Sequence, residues 1–399
     1  MQILLLASLF TSIIGLMIAR YHGVFIFWAA MSFVNLIFVL SPPYDIGLYF
    51  GVFSFIFNIL SIIPSFYFFI RFGMGPSVVD EPMQFSKVYI FGLVSGAGSL
   101  LFYILSVGGL SGLFRSWVEI AITRQGGDII EANISQGLYF VSLTFLLASA
   151  KFNKIKSYFT MLVIVVLYVS FSRVKANALP FVIPLIYQFV NAYRQYPIKL
   201  LLSGIIGTGI FLLFYFLITA ARWTGDLFSV ESFLNSFNSA VKAGLERNLV
   251  SQTESVFLYF MENEAVFAQS YIYILNPLMS YFGVDLVNPI YSYFRIGGGV
   301  SDIMRGSAHP SIYGDSLANF SWFGLFVGFF YVVFLGWASR ISILSGSLFS
   351  TGFLVATSYS VPMMIRGSVH YGLLYFIINS IFILFSFLIF YSMGKIKWK

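Results

Sequence analysis

Residues 371–393 read YGLLYFIINSIFILFSFLIFYSM, without one charged side chain. A helix needs about 20 apolar residues to cross a hydrocarbon core roughly 30 Å thick, so this stretch predicts a membrane-spanning helix. Working back from it, runs of the same kind recur to the N-terminus. We place spans near 2–19, 23–40, 46–70, 86–107, 134–150, 156–172, 176–191, 198–221, 317–338, 346–364 and 370–393. The fold class that follows is all-α, a polytopic membrane helix bundle of about eleven transmembrane helices forming a single membrane domain over 1–399. A membrane β-barrel would show segments of about ten residues alternating in polarity. These runs are continuously apolar.

Composition agrees. Of 399 residues, 59% are hydrophobic and 9% charged, against roughly 25% charged in a soluble domain. The net charge of +7 does not predict a nucleic-acid partner, because the basic residues are scattered between spans and form no stripe. The chain has no cysteine, which excludes disulfides, thiolate metal sites and cysteine nucleophiles. Its three histidines, His22, His309 and His370, are too dispersed for a metal motif. His22 falls in a short turn and carries no functional expectation. The first apolar run lacks a basic leader and a small-residue cleavage site, so it reads as a retained helix.

Orientation follows from the connections. Arg20, Arg71, Lys87, Lys151, Lys154, Lys156, Arg194, Lys199, Arg340, Lys395, Lys397 and Lys399 fall on one side. These loops are short and nearly free of acid, so this side is expected to be cytoplasmic. The N-terminus is then periplasmic and the C-terminus cytoplasmic, in a bacterial inner membrane. The other side carries mostly arginine: Arg115, Arg124, Arg173, Arg222, Arg247, Arg295, Arg305 and Arg366, with Lys175 and Lys242. Lysine suffices for topology, whereas arginine presents a planar fork that grips phosphate in two places. The bias points to phosphate binding on the outer face; pairing with outer acids is the plain alternative for any one arginine.

Two outer connections are long, 108–133 and 222–316. Long loops in compact proteins usually serve a function. Ser229–Gln269 mixes charge with Phe and Leu at helical spacing, which predicts amphipathic helices on the membrane surface or capping the bundle. Residues 291–315, YSYFRIGGGVSDIMRGSAHPSIYGD, are rich in glycine and polar groups. Glycine lets backbone N–H groups approach an anion closely.

Four constellations could carry chemistry. Ser172-Arg173-Val174-Lys175 places two cations at the outer end of apolar helices; snorkelling is the bland reading. Arg295 and Arg305 flank Gly297-Gly298-Gly299 ahead of His309, an arrangement suited to a pyrophosphate and a proton acceptor. Asp315 and Asn319 stand four apart, on one face of the ninth helix; the bland reading makes Asp315 a helix-start residue favoured by the dipole. Gly324 and Gly328 form a small-xxx-small pattern expected to serve packing. Arg366 lies in the short turn before the last span, where a charge is costly unless it is paired or faces water. Tyr291, Tyr293 and Tyr313 are candidates to stack on sugar rings. There is no P-loop and no cytoplasmic domain able to hold a nucleotide sugar. An activated donor must therefore come from the membrane or the outer side. No internal repeat is visible, which weakens a transporter reading.

The stretch Tyr313-Gly314-Asp315-Ser316-Leu317-Ala318-Asn319-Phe320-Ser321-Trp322-Phe323-Gly324 resembles a segment of the bacterial O-antigen and capsular repeat-unit polymerases, the Wzy group. There an acidic or polar residue leads to Asn-Phe-x-x-x-Gly at a helix start. Ile365-Arg366-Gly367-Ser368 resembles that family's Arg-Gly turn, and Phe171-Ser172-Arg173 its mid-chain Ser-Arg. The layout of spans with a large outer loop is similar as well. The resemblance implies a metal-independent membrane glycosyltransferase of GT-C-like fold, without cofactor. It would join undecaprenyl-pyrophosphate-linked oligosaccharides on the periplasmic face, transferring the growing chain onto a new unit. A chain-length regulator is a possible partner besides membrane lipid. With the residues above, it implies a clamp of Arg173, Arg305 and Arg366, helped by Arg222 or Arg295, with His309 or Asp315 handling the acceptor hydroxyl. An O-antigen ligase shares the layout, and a lipid-linked oligosaccharide flippase or other transporter is the reading from another class.

Overall fold

The computed structural model describes residues 1–43, 45–72, 84–110, 129–172, 174–193, 247–272, 310–367 and 369–395, with isolated positions between 231 and 284. Among these residues the regular secondary structure is helical, with no strand. Among the described residues, seven helices are long and apolar enough to cross a membrane: His22–Leu40, Gly47–Phe72, Phe85–Ser106, Lys154–Ser172, Ser311–Leu344, Ser347–Ile365 and Gly372–Met393. Gln2–Ile18 and Ala176–Ala192 are shorter apolar helices, and Ile129–Ser149 covers the expected fifth span. The expected span at 198–221 lies outside the described residues.

The chain divides into two compact units. Unit one contains α1 (Gln2–Ile18), α2 (His22–Leu40), α3 (Gly47–Phe72), α8 (Arg247–Glu262), α9 (Gln269–Ile272), α10 (Ser311–Phe320) and α11 (Val327–Leu344). Unit two contains α4 (Phe85–Ser106), α5 (Ile129–Ser149), α6 (Lys154–Ser172) and α7 (Leu179–Tyr193). Helices α12 (Ser347–Ile365) and α13 (Val369–Lys395) give residues to both.

Small residues set the packing, as membrane helices require when lipid is as apolar as the core. In unit one, any side chain at Gly15 would overlap the Trp28 ring, at Gly328 Ser61 and Phe57, and at Gly336 the Phe68 ring. Polar groups inside the bundle find partners. The Trp28 indole N–H donates to Ser65 Oγ at 2.8 Å, and the Gly23 N–H to Ser339 Oγ at 2.9 Å. Ser61 bonds back to the Phe57 carbonyl at 2.7 Å, which satisfies the hydroxyl within its own helix.

The two ends of unit one differ. Arg20 stacks on Phe69, and Arg340 on Phe72 and Trp337, beside Arg71 in the last turn of α3. These arginines therefore share an end, as their loops were expected to. Tyr21 is buried there; burial pushes its hydroxyl pKa up and nearby Arg340 partly offsets the rise. At the other end α8 covers the bundle. Leu249, Val250, Thr253, Val256, Phe257 and Phe260 are buried at helical spacing, and Phe257 meets Phe50 and Phe53 edge-on. The Asp45 N–H donates to Glu254 at 2.8 Å. The amphipathic helix expected within 229–269 thus caps unit one.

In unit two, α5 is buried on almost every side over Tyr139–Ala150. Its Ser142 and Ser135 hydroxyls donate to the carbonyls of Gly92 and Ser99 on α4, both at 2.8 Å. Tyr139 stacks on Tyr168 with centroids 4.1 Å apart.

The ninth span departs from expectation. A straight helix over the 34 residues of Ser311–Leu344 would be about 51 Å long, well beyond a hydrocarbon core of roughly 30 Å. It breaks at Ser321, where φ is 51°. A 3-10 turn, Ser321–Phe326, follows before α11. This turn folds back so closely that a side chain at Gly324 would overlap the Ser316 carbonyl. The expected packing role of Gly324 and Gly328 is therefore met on two different surfaces. Gly328→Leu should lower the thermal unfolding midpoint of the purified protein, because overpacking costs about 1–3 kcal/mol; an unchanged midpoint would contradict this packing.

Candidate functional site

Helix α10 is the centre of unit one. Nine of its ten residues, Ser311–Asn319, are buried. Tyr313 holds it in place. Its hydroxyl donates to Asn35 Oδ1 on α2 at 2.6 Å and accepts from Asn58 Nδ2 on α3 at 2.8 Å. Phe38, Phe50 and Phe57 surround the ring at centroid distances of 6.2, 5.6 and 5.1 Å. Tyr313 is therefore a structural anchor, and the expectation that it stacks on sugar is corrected: the ring is fully buried among other aromatics.

Asp315 is 2% exposed. The capping reading fails, because α10 begins at Ser311 after Pro310 with no side-chain cap, and Asp315 sits a full turn inside. Asn319 shares its face as expected, with its Nδ2 donating to the Asp315 carbonyl oxygen at 2.8 Å. Two residues beyond Tyr313, Asp315 points to roughly the opposite side of α10. There it meets Tyr271 of α9 and Tyr331 of α11. The three groups lie close enough to influence one another but fall short of hydrogen-bond geometry. Among the described residues, Asp315 Oδ2 and both phenol oxygens are buried without a hydrogen-bond partner. Burial pushes the Tyr271 hydroxyl pKa well above its ordinary 10.0, and Tyr331 and Asp315 push it further.

The strand of chain before α9 completes this wall. The N–H groups of Val266 and Ala268 donate to the carbonyls of Ala318 and Asn319, at 2.8 and 3.2 Å. They satisfy backbone acceptors that the break at Ser321 leaves open. Phe267 and Ala268 have φ of 39° and 63°, and the Tyr271 ring packs on Phe320 at 5.4 Å.

The Arg366 turn adjoins the start of α10. The Ser311 N–H donates to the Arg366 carbonyl at 3.0 Å. Gly367, at φ 102°, approaches so closely that a Cβ would lie 2.5 Å from the Ser311 nitrogen. Thr253 of α8 lies 3.2 Å from the Ser311 hydroxyl. Thus the two segments carrying Asp315 and Arg366 are joined through backbone in unit one.

In unit two, the turn after α6 is pinned on either side of position 173. Asn177 donates to Ser172 Oγ at 3.0 Å, and the Tyr139 hydroxyl donates to the Asn177 carbonyl at 2.5 Å. Arg173 itself, with Arg222, Arg295, Arg305 and His309, lies outside the described residues, as do Tyr291 and Tyr293. His22 is buried at the start of α2. The sequence reading passed over Tyr271, Tyr331, Asn35 and Asn58. The two asparagines had a signal, since an amide inside an apolar span needs a partner. The tyrosines had none in a chain with 25 of them.

No protein-family model, curated protein or solved structure matches this chain.

Tyr313→Phe should destabilise the protein by about 1–3 kcal/mol, because it leaves two buried amides short of a partner. Unfolding of the purified variant in detergent measures this, and stability equal to the parent would refute the anchoring role.

Proposed function

We propose that this chain is a membrane glycosyltransferase that polymerises undecaprenyl-pyrophosphate-linked oligosaccharide repeat units. The observation that carries the reading is the junction at Ser311. It ties a buried acid, Asp315, to an arginine turn, Arg366-Gly367, within one unit. These are two of the segments in which the sequence resembles the repeat-unit polymerases. An ionisable residue inside a membrane bundle is a functional site by default.

In this reading the arginine-bearing end of unit one, with Arg20, Arg71 and Arg340, faces the cytoplasm of a bacterial inner membrane. The end capped by α8 faces the periplasm. The hydroxyl of the non-reducing sugar on one carrier attacks the anomeric carbon of the chain on the other. The new C–O bond forms as the bond to pyrophosphate breaks. Arg366 compensates the charge on the leaving pyrophosphate, a role that the sequence resemblance also suggests for Arg173, Arg305 and either Arg222 or Arg295. Fixed cations of this kind are worth most where water is excluded.

Deletion of the gene in its native host should collapse the surface-polysaccharide ladder to lipid core bearing a single repeat unit, with recovery on complementation. Loss of even the single unit would point instead to ligation or flipping. Arg366→Ala and Arg305→Ala should each reduce polymer output about 10²–10³-fold at normal protein levels. Full-length ladders from both would sink the clamp.

A further inference from the structure

We infer that Asp315, Tyr271 and Tyr331 form a hydroxyl-binding site that holds the attacking hydroxyl of the acceptor sugar. The inference rests on the polymerase reading above and adds two residues that nothing else assigns.

Hydrogen-bond valence defines the site. A sugar hydroxyl has one O–H to donate and two lone pairs to accept with. The cluster offers the complement. Asp315 Oδ2 is an acceptor, and the phenol O–H groups of Tyr271 and Tyr331 are donors. All three oxygens are buried, and among the described residues none makes a hydrogen bond of full geometry, although Tyr271 stands next to both Asp315 and Tyr331. Buried polar atoms are almost always paired, so three such atoms gathered in one place call for an occupant. They come from three separate elements, α9, α10 and α11, which no local sequence pattern would assemble.

The elements hold the groups firmly. Asp315 is on a helix anchored through Tyr313. Tyr271 follows a segment bonded to the end of that same helix and packs on Phe320. Tyr331 lies in the first turns of α11, beside Gly328, which is locked against α3. Among the described residues, Tyr271 and Tyr331 are the ionisable groups that face Asp315. An acceptor hydroxyl placed here gives its proton to Asp315 Oδ2 as its oxygen bonds the anomeric carbon. One phenol releases the lone pair that attacks the anomeric carbon, while the other keeps hold of the oxygen through the step. Undecaprenyl pyrophosphate leaves with the electron pair of the broken bond, and the proton on Asp315 is later lost to water.

The test uses the full-length protein in vesicles. The donor is lipid-linked polymer, and the acceptor is the lipid-linked single unit extracted from the deletion strain. Tyr271→Phe and Tyr331→Phe should each raise the acceptor KM about tenfold, the worth of one hydrogen bond, with the donor KM unchanged. Each should also leave unfolding stability equal or higher, since it removes an unpaired buried hydroxyl. Asp315→Asn keeps an acceptor oxygen but cannot take a proton, so it should lower kcat at least 100-fold with a near-normal acceptor KM. Parent-like acceptor KM in both phenylalanine variants, or a loss of stability with the two KM values moving together, would overturn the site while leaving the polymerase reading intact. A parent protein that extends no chain, in a host whose deletion strain keeps its full ladder, would overturn both.

Discussion

The Tyr313 hydroxyl sits between two amides in an apolar bundle, and the rest of unit one is arranged around that fact. Asn35 on α2 and Asn58 on α3 each bring a polar group into the buried interior of unit one. In hydrocarbon an unpaired amide is expensive, and the remaining neighbours are phenylalanine rings that accept nothing. The phenol both donates and accepts, so it answers one asparagine with each function. Asn58 further donates to its own helix at the Ser54 carbonyl, 2.9 Å away. This polar contact fixes the depth of α10 and its rotation about its axis. Rotation matters most, because a residue two positions along a helix points to nearly the opposite side. Once Tyr313 faces α2 and α3, Asp315 must face α9 and α11.

A buried short helix creates a second problem, which is its own backbone. The carbonyls at the end of α10 have no helical successor once the chain turns at Ser321. Unsatisfied carbonyls are not tolerated in a membrane interior unless protein or water covers them. The stretch at Val266–Ala268 supplies two N–H donors for them, at the expense of positive φ at Phe267 and Ala268. Gly324 then allows the turn to lie against Ser316. The wall that closes α10 is thus the same segment that delivers Tyr271. Backbone satisfaction and assembly of the polar cluster are one event.

Much of this was legible in the sequence, and the rest failed for identifiable reasons. Hydropathy located the membrane helices, because a span of 20 apolar residues leaves no alternative fold. The grouping of Arg20, Arg71 and Arg340 at one end was readable from loop charge. The break at Ser321 was not, since Phe320-Ser321-Trp322-Phe323-Gly324 is as apolar as the spans around it. The break comes from a tertiary approach at Gly324 and from donors some fifty residues upstream in the chain. Tyr313 was misplaced for a related reason. Its position in a polar, glycine-rich stretch resembled an exposed loop, while its burial depends on two asparagines far away in sequence. Asp315 and Arg366 stood out because a charge near an apolar run is conspicuous. Tyr271 and Tyr331 did not, because a tyrosine advertises nothing until its hydroxyl is seen to lack a partner.

The contrast between the two sides of α10 bears on what the helix is for. On the Tyr313 side the phenol is paired in both directions, and Asn58 Oδ1 and Ser316 Oγ are the atoms left without a partner among the described residues. On the Asp315 side the acid and both phenols are left open. Stability alone would fill that space better with leucine and phenylalanine, since a buried unpaired polar group costs about 1–3 kcal/mol and an apolar isostere costs little. A scaffold that spends its hydrogen bonds on fixing one face while leaving the other unsatisfied behaves like a functional site, where groups are held ready for a ligand that completes them. The rigid face and the open face need each other. Three oxygens can match one hydroxyl only if their spacing is set before it arrives, and the Tyr313 anchor is what sets it.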